Sequence, residues 1–331
     1  MKRGSGRRRE RPRRRRWIAG FLLAGAALAA PAAALALLRR RAEPPQAPRW
    51  GRAHRYSGKL AEVVFQQLGS GEPLVLIHSL GPGYDAEQWR AAAELLAERF
   101  RIYVPDLPGW GRSQGPAAGY EPGLYVGMLG DFLEGAVGEP AVVIAAGQSA
   151  AYATALAVEA PELVRALVLV GPMGLGPGEQ AVRPFVARLL AVPLVSATVL
   201  DLLTARTALE HHLRRDVYVA QEKVDAALLD HHYRASHRPE ARRALAAYWR
   251  GELELDVRDA VADLGRPVWL VWGRNASRPP VAAADLWLHH LPEDLPEELD
   301  VFERCGGLPH AESPAAFARG LERFLAAVAA Q

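Results

Sequence analysis

The chain has 331 residues, half of them hydrophobic, with a formal charge of +3 at neutral pH and a single cysteine, Cys305. That cysteine excludes an internal disulfide framework, and the length is ample for one large core. Residues 1–41 hold 13 of the 40 basic residues and one of the 37 acidic ones, so the rest carries 27 against 36, or −9, which argues against a nucleic-acid partner for the folded part.

Ten of residues 2–16 are Lys or Arg. Residues 17–38 then run for 22 positions without a charge, about 33 Å of helix and long enough to cross a hydrocarbon core. Pro31 interrupts this segment, Arg39, Arg40 and Arg41 close it, and a Pro-rich spacer follows. The expected layout is a basic cytoplasmic tail over 1–16, a transmembrane helix over 17–38, a Pro/Arg-rich linker over 39–57 and a folded domain over 58–331. Ten basic residues before the span against five in 39–52 place the amino terminus inside and the domain outside. Two alternatives stay open: an export signal cleaved near Ala34-Leu35-Ala36, and a basic tail on a soluble protein that binds anionic lipid or nucleic acid.

The spacing then predicts strands over 61–68 and 73–79, with a Gly-Ser-Gly turn between them. A helix is expected over 85–100, where Trp89, Ala93, Leu96 and Phe100 share a face, and a strand over 101–105. Asp106 opens the loop DLPGWGRS and reads as structural. A helix over 121–136 precedes AVVIAAGQSAAY (141–152), a buried parallel-sheet strand that turns sharply into an Ala-rich helix. A strand over 163–170, one over 267–273 and a closing amphipathic helix continue the alternation, which predicts an α/β domain with no internal repeat. Between about 174 and 264 the pattern becomes helical. His211, His212, His231, His232 and His237 lie in this insertion and read as surface histidines, because adjacent helical residues point about 100° apart and rarely hold one metal ion.

In this order PLVLIHSLGPG, RIYVPDLPGWGRS, GQSAA, PVWLVWG and CGGLPHAESP resemble the α/β-hydrolase fold family of lipases, esterases and meta-cleavage hydrolases, over roughly residues 58–330. The resemblance implies a mostly parallel doubly wound sheet with a helical cap over 174–264, and a Ser-acid-His triad in that chain order. Ser149 is the candidate nucleophile, flanked by Gly147 and Ala151, with backbone N–H groups of Leu80 and Ala150 as oxyanion donors. The family's acid position falls on Ala276, with Asn275 beside it, and its base position falls on Gly307. His310 and His78 are the remaining base candidates near the site. No cofactor and no metal is expected.

Two readings remain open. One is a membrane-anchored divergent serine hydrolase acting through Ser149 on small apolar ester or acyl substrates. The other is a non-catalytic pseudohydrolase whose pocket binds an apolar ligand or a protein partner at the membrane.

Overall fold

The computed structural model describes residues 50–116, 119–176 and 184–330. The expected basic tail and transmembrane segment (1–16 and 17–38) lie outside these residues. Among the described residues no helix is long and apolar enough to cross a membrane.

Strands β1 (Arg52–Ser57), β2 (Glu62–Leu68), β3 (Pro73–Ile77), β4 (Arg101–Pro105), β5 (Ala141–Ala146), β6 (Val164–Val170), β7 (Val268–Gly273) and β8 (Glu297–Phe302) form one sheet in the order β1-β2-β4-β3-β5-β6-β7-β8. Pairings β1–β2 and β2–β4 are antiparallel, and all others are parallel. The central strands are apolar throughout because both of their faces are covered. In β5, Val142, Ile144 and Ala146 join the core on one face, while Ala141, Val143 and Ala145 join the core on the other.

Helices α1 (Arg90–Leu96) and α12 (Pro314–Ala329) cover the first face through Ala92, Ala93, Leu96, Phe317, Leu321 and Phe324. Helices α2 (Pro122–Phe132), α3 (Gln148–Glu159), α9 (Arg258–Ala262) and α10 (Ala283–His290) cover the other. The segment expected as one helix over 85–100 is a 3₁₀ turn, Ala86–Trp89, followed by α1. Asp85 caps that turn by accepting from the Glu87 N–H at 3.0 Å.

The cap contains α4 (Pro184–Leu190), α5 (Pro193–Leu203), α6 (Arg206–His212), a wider turn over Leu213–Val217, α7 (Ala226–Ser236) and α8 (Pro239–Trp249). The expected cap range of 174–264 also takes in α9, whose Val261 joins the core that α3 covers.

The folded domain also begins earlier than residue 58. Residues 52–57 were expected to be linker, but they pair with β2 along their whole length. Their charged and polar side chains suit an edge strand. Trp50 is 3% exposed, and its indole N–H donates to Glu87 Oε2 at 2.7 Å. Trp50→Ala is expected to cost about 3 kcal/mol in urea unfolding, the usual size for losing a buried tryptophan. An unchanged midpoint would mean that the segment before β1 does not belong to the core.

Candidate functional site

Strand β5 pairs with β6 up to Ala146↔Val170, and helix α3 starts at Gln148. The whole reversal is made at Gly147, with φ +56° and ψ −127°, a conformation that side-chain-bearing residues adopt only under strain. Its N–H donates to Val170 O at 2.9 Å, and its own carbonyl accepts from Met173 at 3.2 Å. A nucleophile elbow holds its reactive residue at the sharp turn between strand and helix. In this chain that position is Gly147, not Ser149.

Ser149 lies two residues further on, inside the first turn of α3, and is 0% exposed. Its hydroxyl donates to the His78 carbonyl at 2.7 Å. The assignment of Ser149 as nucleophile is therefore corrected: it ties the helix to the loop after β3. The oxyanion assignment moves with it. The Ala150 N–H donates to Gly147 O at 3.2 Å as part of the helix start, and the residue that follows the apex is Gln148. Leu80 does line the cavity above the apex.

The space over Gly147 is filled by another side chain. A Cβ placed on Gly147 would lie 2.1 Å from Ser79 Oγ. Ser79 is held there by its loop. The Leu107 N–H donates to His78 Nε2 at 3.0 Å, which leaves Nδ1 to donate to Ser79 O at 2.7 Å, and the Ser79 N–H donates to Gln88 Oε1 at 2.9 Å. His78 is fully buried, and burial lowers its pKa, so it acts as a neutral pin with both nitrogens engaged.

The resemblance puts the family's acid and base at Ala276 and Gly307, and the structure gives the surroundings of both. Ala276 is buried and its N–H donates to Gly273 O at 3.1 Å. Asn275 is exposed. At the base position the cap comes down onto bare backbone. The Gly307 N–H donates to Val217 O at 2.8 Å, and a Cβ on Gly306 would strike that same oxygen at 2.2 Å. Glu312 fixes the contact: Oε2 accepts from the Val219 and Ala220 N–H groups at 2.7 and 2.9 Å, and Oε1 accepts from Gly306.

His310 is not brought to Ser149. It sits in the short helix α11 (Pro309–Glu312), fully buried, with its ring stacked on Trp89 at 3.7 Å between centroids. Neither ring nitrogen has a hydrogen-bond partner, and burial pulls its pKa to about 3. It packs as a neutral aromatic ring.

The cavity under the cap measures about 300 Å³. Ser79, Gly147 and Gly307 line it together with Leu80, Met173 and Leu203. Cap residues reach it as well. His212 Nδ1 and Asp216 Oδ2 are 3.0 Å apart, and the hydroxyl of Ser277, the residue after Ala276, donates to Asp216 O at 2.8 Å.

The cap histidines are thus not simply surface residues. His232 is buried, and Nδ1 bonds Pro82 O at 2.8 Å; burial, then the neighbouring His231, lower its pKa to about 4. His231 Nε2 meets Asp85 Oδ1 at 3.0 Å. Burial disfavours the charged His231, but the Asp85 carboxylate outweighs it and raises the pKa to about 9. Burial likewise opposes charge on Asp85, and His231 outweighs that, holding the carboxyl well below its usual range. Behind the pair, Asp106 accepts from the Ala86 and Arg112 N–H groups, both at 2.8 Å. Burial, then the charge of Asp85, raise Asp106 to about 7. Its role is structural, as the sequence suggested. Among the described residues no cluster of three or more His, Cys, Asp or Glu side chains could hold a metal ion.

The latch between His231 and Asp85 gives a pH signature. A histidine whose pKa is raised by folding stabilises fully below its unfolded value near 6.5 and loses that contribution as pH rises through 9. The stability gap between the wild type and His231→Gln should be widest at or below pH 6.5, on the order of 3 kcal/mol, and should close by pH 10. Urea unfolding across this range measures it, and a constant gap would contradict the ion pair.

Residues 74–320 match the sequence profile of the Alpha/beta hydrolase family. Among similar proteins, 2-hydroxy-6-oxo-2,4-heptadienoate hydrolase of Pseudomonas putida is 28% identical over 281 residues, covering 80% of this chain and 93% of that protein. The solved structure of Cfl2 from Burkholderia cenocepacia has a TM-score of 0.68 at 28% identity, covering 85% of this chain and 99% of that one. A membrane phospholipase A described as a bacterial virulence factor shares the fold, with a TM-score of 0.67 at 23% identity over 95% of this chain and 99% of that one.

Proposed function

Because the chain belongs to the Alpha/beta hydrolase family, we propose that it is a pseudohydrolase of that family, binding a small ligand with an apolar body in the cavity under its cap without cleaving it. One observation carries this reading: the apex of the elbow is Gly147, and Ser79 Oγ lies where a side chain there would start. An elbow without a hydroxyl has no atom to attack a carbonyl, and Ala276 and Gly307 leave no acid or base in the family's positions. In the same proposal the basic tail and the uncharged segment over 17–38 tether the domain to a membrane, with the amino terminus inside.

The test is fluorophosphonate labelling of the purified chain with turnover of short p-nitrophenyl esters. No labelling and no turnover above the solvent rate is expected, for the wild type and Ser149→Ala alike. Supplying only the two other triad groups, with Ala276→Asp and Gly307→His, should leave the chain inert, since the apex still lacks a hydroxyl.

A second reading is favoured by one arrangement. Ser79 lines the same cavity as the His212–Asp216 pair, so a displaced serine, base and acid share one chamber. Labelling of the wild type that disappears in Ser79→Ala would overturn the pseudohydrolase reading in favour of this one.

A further inference from the structure

The ligand's chemistry can be narrowed from cavity-lining donors that make no hydrogen bond to another described residue; this rests on the pseudohydrolase reading. Three donors line it. Arg278 makes no hydrogen bond within the described protein. Its nearest anion is Asp216 Oδ2 at 3.6 Å, an oxygen already engaged by His212. Tyr84 is almost fully buried, against His232, and Tyr248 is half-buried, edge-on to Trp110. Both rings line the cavity, and neither phenol hydroxyl bonds another described residue. Burial raises both phenols, Tyr248 to about 12, and Arg278 draws against the rise in each case, so two neutral O–H donors share a neighbourhood with the guanidinium.

Three donors on one cavity wall with no hydrogen-bond acceptor among the described residues call for a ligand rich in acceptors. We propose that the cavity binds the carboxylate of a small apolar acid, with Arg278 and the hydroxyls of Tyr84 and Tyr248 as its donors. Leu80, Met173, Leu203, Trp249 and Leu308 take the apolar body. A carboxylate offers two oxygens and about four lone pairs, enough for all three groups. A phosphate dianion suits the site less well, because a single guanidinium with Asp216 at 3.6 Å supplies too little positive charge. At about 300 Å³ the chamber is at the small end of ligand pockets, which fits a medium-length chain or a single ring.

The experiment is calorimetric titration of the full-length chain in lipid nanodiscs with octanoate, octanol and octyl phosphate. Octanoate is expected to bind about tenfold more tightly than octanol, the size of a hydrogen bond to a charged group. Arg278→Ala should abolish that preference, and Tyr248→Phe should reduce it by a few-fold while keeping the ring. Arg278 is exposed and outside the core, so its variant is expected to fold; a melting curve checks this. Equal binding of octanoate and octanol, tighter binding of octyl phosphate, no binding at all, or an Arg278→Ala variant with unchanged preference would each overturn the proposal. The labelling experiment is separate: a reactive serine would remove the pseudohydrolase reading, and the octanoate comparison would still report on the donor set.

Discussion

The centre of this molecule is arranged around one volume that two positions, 147 and 79, both border. Strand β5 must reverse into α3 within a single residue, and Gly147 does so at φ +56°. The volume a side chain would take above it belongs to Ser79. Ser79 in turn is set by the His78 pin, whose ring accepts from the Leu107 N–H on one side and donates to the Ser79 carbonyl on the other. Ser149, buried beneath, fastens the start of α3 to the same loop. The geometry of an elbow is therefore kept to within one residue, while the atom that makes such a turn reactive is absent.

The cap is joined to the body by contacts that also depend on missing side chains. Val217 O can approach the Gly306–Gly307 backbone only because Gly306 has no Cβ. Glu312, one turn further on, ties the next cap residues to this loop through both of its oxygens. On the other side of the cavity α7 docks through His231 on Asp85 and His232 on Pro82. Two separate anchor lines thus seat the cap, one at the Gly306–Gly307 backbone and one at the loop after β3.

Most of the architecture was legible in the sequence because it rests on patterns that do not depend on the third dimension. The apolar runs of β3, β5, β6 and β7, and the amphipathic closing helix, carry their own periodicity. The assignment of Ala276 and Gly307 rests on the register of the flanking WGRNAS and GGLPHAE strings. The elbow could not. GQSAA contains one serine two residues after a glycine, and a motif read by letters assigns the chemistry to that serine. What decides the matter is where strand pairing ends, and it ends at Ala146. The continuous apolar run through Ala146, which leaves Gly147 as the first residue free to turn, was the signal available. The partners of His231 and His232 were beyond reach for another reason: Asp85, 146 residues from His231, and Pro82 meet them only through the packing of the cap, whereas Asp216 stands four residues from His212, within reach of a helical spacing argument. Residues 52–57 read as linker because an edge strand with polar side chains has no apolar alternation to reveal it.

The overlap of Ser79 with position 147 also couples the two sites. A side chain at the apex would begin 2.1 Å from Ser79 Oγ, so that hydroxyl must turn about χ1 before any apex residue can be seated. Substitutions at 79 and 147 are therefore expected to be non-additive in stability, each changing the room left for the other.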